Sequence, residues 1–127
     1  MPARVKRKGT AAAAAALHPR LRIVCGKEIA FGPGKAELLA RIAETGSIAE
    51  AAARLGMSYM RAWSLVQTMN ACFKAPLVRA LRGGHRRGGA ELTDAGREVL
   101  KWYQQMEADA RAAVQPGWTA LQRLLRR

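Results

Sequence analysis

With 127 residues, half of them apolar, the chain is long enough for one domain with a modest core. A formal net charge of +13 is more one-sided than solubility requires and points to a polyanionic partner, which means nucleic acid or an anionic membrane surface. Two distant cysteines make neither a disulfide framework nor a metal motif, and no apolar run is long enough to span a bilayer. The expected partner is double-stranded DNA and not a membrane.

Residues 1–19 read as a basic arm: Arg4, Lys6, Arg7 and Lys8 precede six alanines at 11–16. This mimics a signal peptide, but the run is short and lacks Leu, Ile or Phe before Leu17. An arm adding phosphate contacts is the expectation, with the protein cytoplasmic and nucleoid-associated. Next, Leu21, Ile23 and Cys25 alternate with Arg20, Arg22 and Val24 as in a strand. Gly26-Lys27 can turn it into a second strand over 28–31. Cys25 and Cys72 are expected to be mostly buried, reduced thiols.

Gly32-Pro33-Gly34 breaks the chain, and a helix is predicted from about Gly34 to Thr45. Leu38, Leu39, Ile42 and Ala43 should face inward, with Lys35, Glu37, Arg41 and Glu44 outward. GPGK lacks the spacing and the Lys-Ser/Thr end of a phosphate-cradling P-loop.

The stretch from Ser47 to Met69 organises the rest. Ser47 and Glu50 have the spacing of a capping box, and Ile48, Ala51, Ala52 and Leu55 form an apolar stripe. Gly56 stands where a helix end favours a left-handed residue, and Ser58 can cap a second helix whose inner stripe is Ala62, Leu65, Val66 and Met69. The small Ala51 and Ala52 allow close approach. Together these offsets predict a helix-turn-helix, whose second helix enters the DNA major groove. Projected at 100° per residue, the opposite face carries Met60, Ser64, Gln67 and Ala71, with Arg61 and Thr68 on one flank and Trp63 on the other. Trp63 can alternatively pack on Tyr59 through their i, i+4 relation. Arg61 suits a guanine edge, Gln67 an adenine edge and Met60 a thymine methyl. Ser58 and Tyr59, at the helix start, suit phosphate.

After Pro76, 77–82 reads as a strand and 90–92 as its return. Between them, glycine pairs bracket His85, Arg86 and Arg87, which makes a wing. Arg82, Arg86 and Arg87 are expected on phosphates or in a narrow minor groove. The alternative for this loop is a nest for a small oxyanion. His85 reads as a polar loop residue and His18 as part of the tail. No Asp or Glu occurs between Ala51 and Ala90, so positive charge concentrates on the reading unit.

Thr93 should cap a long helix over 94–114. Its seam of Val99, Trp102, Tyr103 and Met106 is expected to join two chains, and Pro116-Gly117 to stop it. Residues 115–127 then form a short amphipathic basic tail. The fold class expected is mostly α with a small β wing: a winged helix-turn-helix domain over 20–114 with a long C-terminal dimerisation helix over 94–114.

With these residues in hand, the chain resembles the DNA-binding domain of ModE-type molybdate-responsive regulators, relatives of the LysR-type winged helix. The matching runs are GPGKAELLARIAETGSIAEAAARLGMSYMRAWSLV, the asparagine of QTMNACF, PLV, and GGHRRGGAELTDAGREVL, which cover roughly residues 20–110. The resemblance implies a homodimeric transcriptional regulator on an inverted-repeat operator, linked to molybdate metabolism. Full-length family members carry further β-barrel modules that bind molybdate or tungstate. This chain stops at Arg127 and reads as a single-domain form. No cofactor is implied, and tight direct binding of molybdate is not expected: a small dianion needs rigid converging donors, and fixing a four-glycine loop costs about 1–2 kcal/mol per residue. A nonspecific architectural nucleic-acid binder is the competing reading. No enzyme is expected, because no carboxylate pair, Ser-His-Asp set or Cys-His ligand set is present.

Overall fold

The computed structural model of the chain describes residues 14–81 and 89–126. Residues 20–107 form one compact unit, and residues 14–19 with those from Ala108 onward belong to a second. The expected arm at 1–13 and the wing tip, with Arg82, His85, Arg86 and Arg87, lie outside the described residues.

The first unit is mostly helical, with two small antiparallel ribbons. Strands β1 (Ile23–Cys25) and β2 (Glu28–Phe31) pair with Val24 opposite Ile29 and Cys25 opposite Glu28. A bulge between Ile23 and Val24 breaks the alternation, and all three β1 residues are exposed. Only the end of β2 is inside, where Ala30 and Phe31 are buried. The Phe31 ring is met edge-on by Tyr103 at 5.0 Å and by Phe73 at 6.2 Å.

Helix α1 (Pro33–Thr45) starts on its proline, whose missing N–H costs nothing there, and ends at left-handed Gly46. Leu38, Leu39 and Ile42 are fully buried. Ala43, expected inside, is exposed, because the helix turns its Ala36 and Thr45 inward instead. Helix α2 (Ile48–Arg54) is capped by Ser47, whose Oγ accepts the Glu50 N–H at 3.1 Å. Its end is a two-bond lock: Met57 N–H donates to the Ala52 carbonyl at 3.0 Å and Gly56 N–H to that of Ala53 at 3.2 Å. The lock needs φ = +68° at residue 56, a left-handed value that a Cβ would strain. Helix α3 (Tyr59–Cys72) begins on Ser58, whose Oγ accepts the Arg61 N–H at 3.1 Å. Each such cap contributes about 1 kcal/mol. Ala51, Ala52, Ala62, Val66 and Met69 close the space between α2 and α3.

Strands β3 (Val78–Ala80) and β4 (Ala90–Leu92) form the wing's root, with Val78 opposite Leu92 and Ala80 opposite Ala90. Gly89 bridges to Ser47, and Ala90 N–H donates to the Gly46 carbonyl at 3.0 Å, so the root is tied to the α1–α2 corner. The fold is therefore a winged helix-turn-helix.

Helix α4 runs Asp94–Gln122. Thr93 starts it: its Oγ1 accepts the Gly96 N–H at 3.0 Å and donates to the Pro76 carbonyl at 2.6 Å. The expectation that Pro116-Gly117 ends the helix is overturned, since Pro116 lies inside it. A mid-helix proline forfeits one hydrogen bond and crowds the carbonyl four residues back, a cost of about 3 kcal/mol. Here that carbonyl belongs to the exposed Ala112, where water can solvate it, and alanines at 108, 110, 112, 113 and 120 favour the helix on both sides. Two further expectations fail. Tyr103 does not lie on an outer seam but inside, 1% exposed, with its hydroxyl donating to the Leu21 carbonyl at 2.7 Å. Cys25 is exposed, because β1 covers no core of its own, and Cys72, at the end of α3, is half-buried. Burial holds the Cys72 thiol above its usual value, and a hydrogen bond with Cys25 raises it further.

Candidate nucleic-acid interface

Helix α3 buries Ala62, Val66 and Met69 and leaves its other side free. Tyr59, Met60, Arg61, Trp63, Ser64 and Gln67 are all exposed, Met60 at 67%. Apolar side chains held in water on a capped, well-anchored helix mark a contact face rather than a packing face. Two of the expected polar contacts are partly occupied. Ser58 uses a lone pair for its cap, and the half-buried Thr68 turns its hydroxyl back to the Ser64 carbonyl at 3.2 Å. Arg61 has its backbone N–H in the cap and its guanidinium exposed.

The two flanks of α3 differ. Tyr59, Trp63 and Gln67 border a hollow with Val78, Ala80 and Gly89 at the wing root. Trp63 borders that hollow and is 43% exposed. On the opposite flank, Arg61 and Leu65 border a groove with Arg20, Arg22 and Lys35. These three cations lie far from 61 in sequence, and only the strand-like alternation of Arg20 and Arg22 hinted at their shared direction. Burial holds the Lys35 ammonium below the usual lysine value; nearby Cys72 and Glu28 oppose this and Arg61 adds to it.

A residue that spacing could not reveal is Asn70. Its Oδ1 accepts N–H groups from Leu77 at 2.8 Å and Val78 at 3.2 Å, and its Nδ2 donates to the Val78 carbonyl at 3.1 Å. One amide thereby fixes the wing's first strand to the last turns of α3.

Of the expected seam on α4, Trp102 (54% exposed) and Met106 (44%) are in water and Val99 is half-buried. With Ile23, Phe73 and Leu77 they line an apolar groove of about 460 Å³.

Residues 34–97, from the first turn of α1 through the wing to the start of α4, match the bacterial regulatory helix-turn-helix proteins of the lysR family. The chain belongs to that family. Within this LysR-type domain, the chain is similar to curated molybdenum proteins. The chain is 47% identical over 78 residues to the molybdenum-pterin-binding protein MopB of Rhodobacter capsulatus, covering 61% of this chain and 29% of MopB. It is 36% identical over 85 residues to the molybdenum transport protein ModE of Azotobacter vinelandii, covering 67% of this chain and 32% of ModE. The matched part is thus about three tenths of the length of these relatives. In structure, the LysR-type fold is shared with the CbnR DNA-binding domain solved with DNA, at a TM-score of 0.55 and 24% identity over 69% of this chain and 95% of that one. Among the described residues, no helix is long and apolar enough to cross a membrane, and no group of three His, Cys, Asp or Glu is placed to hold a metal.

Proposed function

We propose that this chain is a sequence-specific DNA-binding transcriptional regulator that inserts α3 into the major groove and sets its wing on the flanking backbone. The observation that carries the reading is the exposed row Met60, Arg61, Ser64 and Gln67 on a helix capped at its start and anchored on its other face. Arg61 reads a guanine edge and Gln67 an adenine edge; Ser58 and Tyr59 meet phosphate. Arg82, Arg86 and Arg87 supply the wing's charge. Two copies associate through Val99, Trp102 and Met106 and place two α3 helices on an inverted repeat. The domain organisation is an arm over 1–19, a reading domain from 20 into α4, and a basic C-terminal segment. The relatives' names support a link to molybdenum metabolism. The chain acts in the cytoplasm and performs no catalysis.

Selection of bound duplexes from a random pool by the purified chain, with and without molybdate, tests this. A palindromic motif retained at physiological salt supports it. Equal retention of all sequences would instead make the protein a nonspecific binder driven by its +13 charge.

A further inference from the structure

The seven described arginines of residues 20–107 divide in two. Arg41 and Arg54 both pair with Glu44, Arg79 with Glu91, and Arg97 with Asp94. Arg20, Arg22 and Arg61 have no carboxylate partner among the described residues, and all three line one groove of about 230 Å³. The other cation of that groove is Lys35, whose Nζ is held in place by donating to the Ile29 carbonyl at 2.5 Å. No acidic side chain lines it. The stem of Arg22 lies over Gly32, with its Cγ 3.4 Å from where a Cβ at 32 would sit. Gly32 gives α1 no side-chain cap, and the first turn of α1 contains no acid, so its positive end stays uncompensated beside the arginines. Four cations from three separate segments thus surround one concavity that no acidic side chain lines, with Glu28 near Lys35 alone. With the other described arginines of residues 20–107 paired internally, such a concavity is left for an external anion.

We propose that this groove is a phosphate clamp for the DNA backbone, on the flank of α3 opposite the wing. The inference rests on the proposed DNA-binding function and extends it to a second surface. Arg61 and Leu65 bring the groove against the start of α3, while Tyr59 and Trp63 face the wing root on the other side. With α3 in the major groove, the wing reaches the backbone on one side, and Arg20, Arg22 and Lys35 meet the phosphodiesters on the other. The guanidinium forks match phosphate oxygens in pairs. The segment leading into β1, with Lys35 of α1, therefore acts as a counterpart to the wing.

The test compares the whole chain with Arg20→Ala/Arg22→Ala and with Arg20→Lys/Arg22→Lys. Both arginines are exposed and unpaired, so equal thermal melting of the three proteins is expected. Binding to the selected duplex and to a random duplex is measured against salt. The alanine variant should lose about 2 units of the slope of log K against log salt, from about 0.9 per phosphate contact, with the specific-to-random ratio unchanged. The lysine variant should keep the slope, and in the alanine variant ethylation interference should lose its signal only at phosphates on the side away from the wing. A wild type without sequence preference would sink the proposed function but leave the slope on random DNA to judge the clamp. An unchanged slope in the alanine variant overturns the clamp. A saturable heat with inorganic phosphate or molybdate, lost in that variant while the slope stays, overturns it in favour of a free oxyanion.

Discussion

Gly96, in the first turn of α4, lies directly under the carbonyl of Leu77: a Cβ built at 96 would stand 2.1 Å from that oxygen and 3.0 Å from its carbon. The same Leu77 carbonyl accepts the Thr93 N–H at 2.9 Å, and the Leu77 N–H is held by Asn70. The obstacle is therefore backbone pinned on both sides. Gly96→Ala should destabilise the fold by about 1–3 kcal/mol, the usual penalty of overpacking. Urea unfolding measures it, and a variant as stable as wild type would mean that α4 can slide away from the Leu77 strand entrance.

Arg61→Ala tests base reading. Its backbone N–H in the Ser58 cap survives the change, so the helix start is preserved. Specific binding should weaken by about 1–3 kcal/mol, with preference relaxed at one base position. Selection with the variant is the measurement; an unaltered motif with uniformly lower affinity would assign Arg61 to the backbone.

The proposed dimer uses Trp102 and Met106, which are in water in the single chain. Trp102→Asp with Met106→Asp should leave a folded monomer that binds half-sites weakly, since neither residue belongs to the buried core. Sedimentation of the wild type as a monomer at micromolar concentration would remove the dimer.

Molybdate should not bind this chain tightly. Tight capture of a small dianion needs donors converging in a desolvated pocket. Among the described residues the nearest approach is the groove beside Arg61, whose three arginines are exposed and screened by water. Isothermal titration should show no saturable heat at micromolar molybdate.

What the sequence made legible was local. Ser47 with Glu50, Gly56 and Ser58 act within four residues of themselves, and the helix-turn-helix could be located from their order alone. Helical periodicity told which side of α4 was apolar but not what would meet it. Tyr103 looked like part of the same seam as Trp102, yet it is taken by the Leu21 carbonyl 82 residues earlier in the chain. Proline's average behaviour predicts a helix end at Pro116, whereas the exposed Ala112 four residues back and alanines on both sides set the local outcome. The gathering of Arg20, Arg22, Lys35 and Arg61 depends on tertiary placement, which no spacing rule encodes.

Asn70 has a mechanical consequence. Because one amide grips Leu77 and Val78 from within α3, the reading helix and the wing root move as a single calliper of set jaw width. A duplex that widens or narrows its groove cannot be followed by one jaw alone. In the proposed complex, the spacing between base edge and flanking phosphate thereby becomes a length that the protein measures. DNA deviating from that length must pay in its own bending energy, which makes stiffness at uncontacted base pairs part of what is recognised.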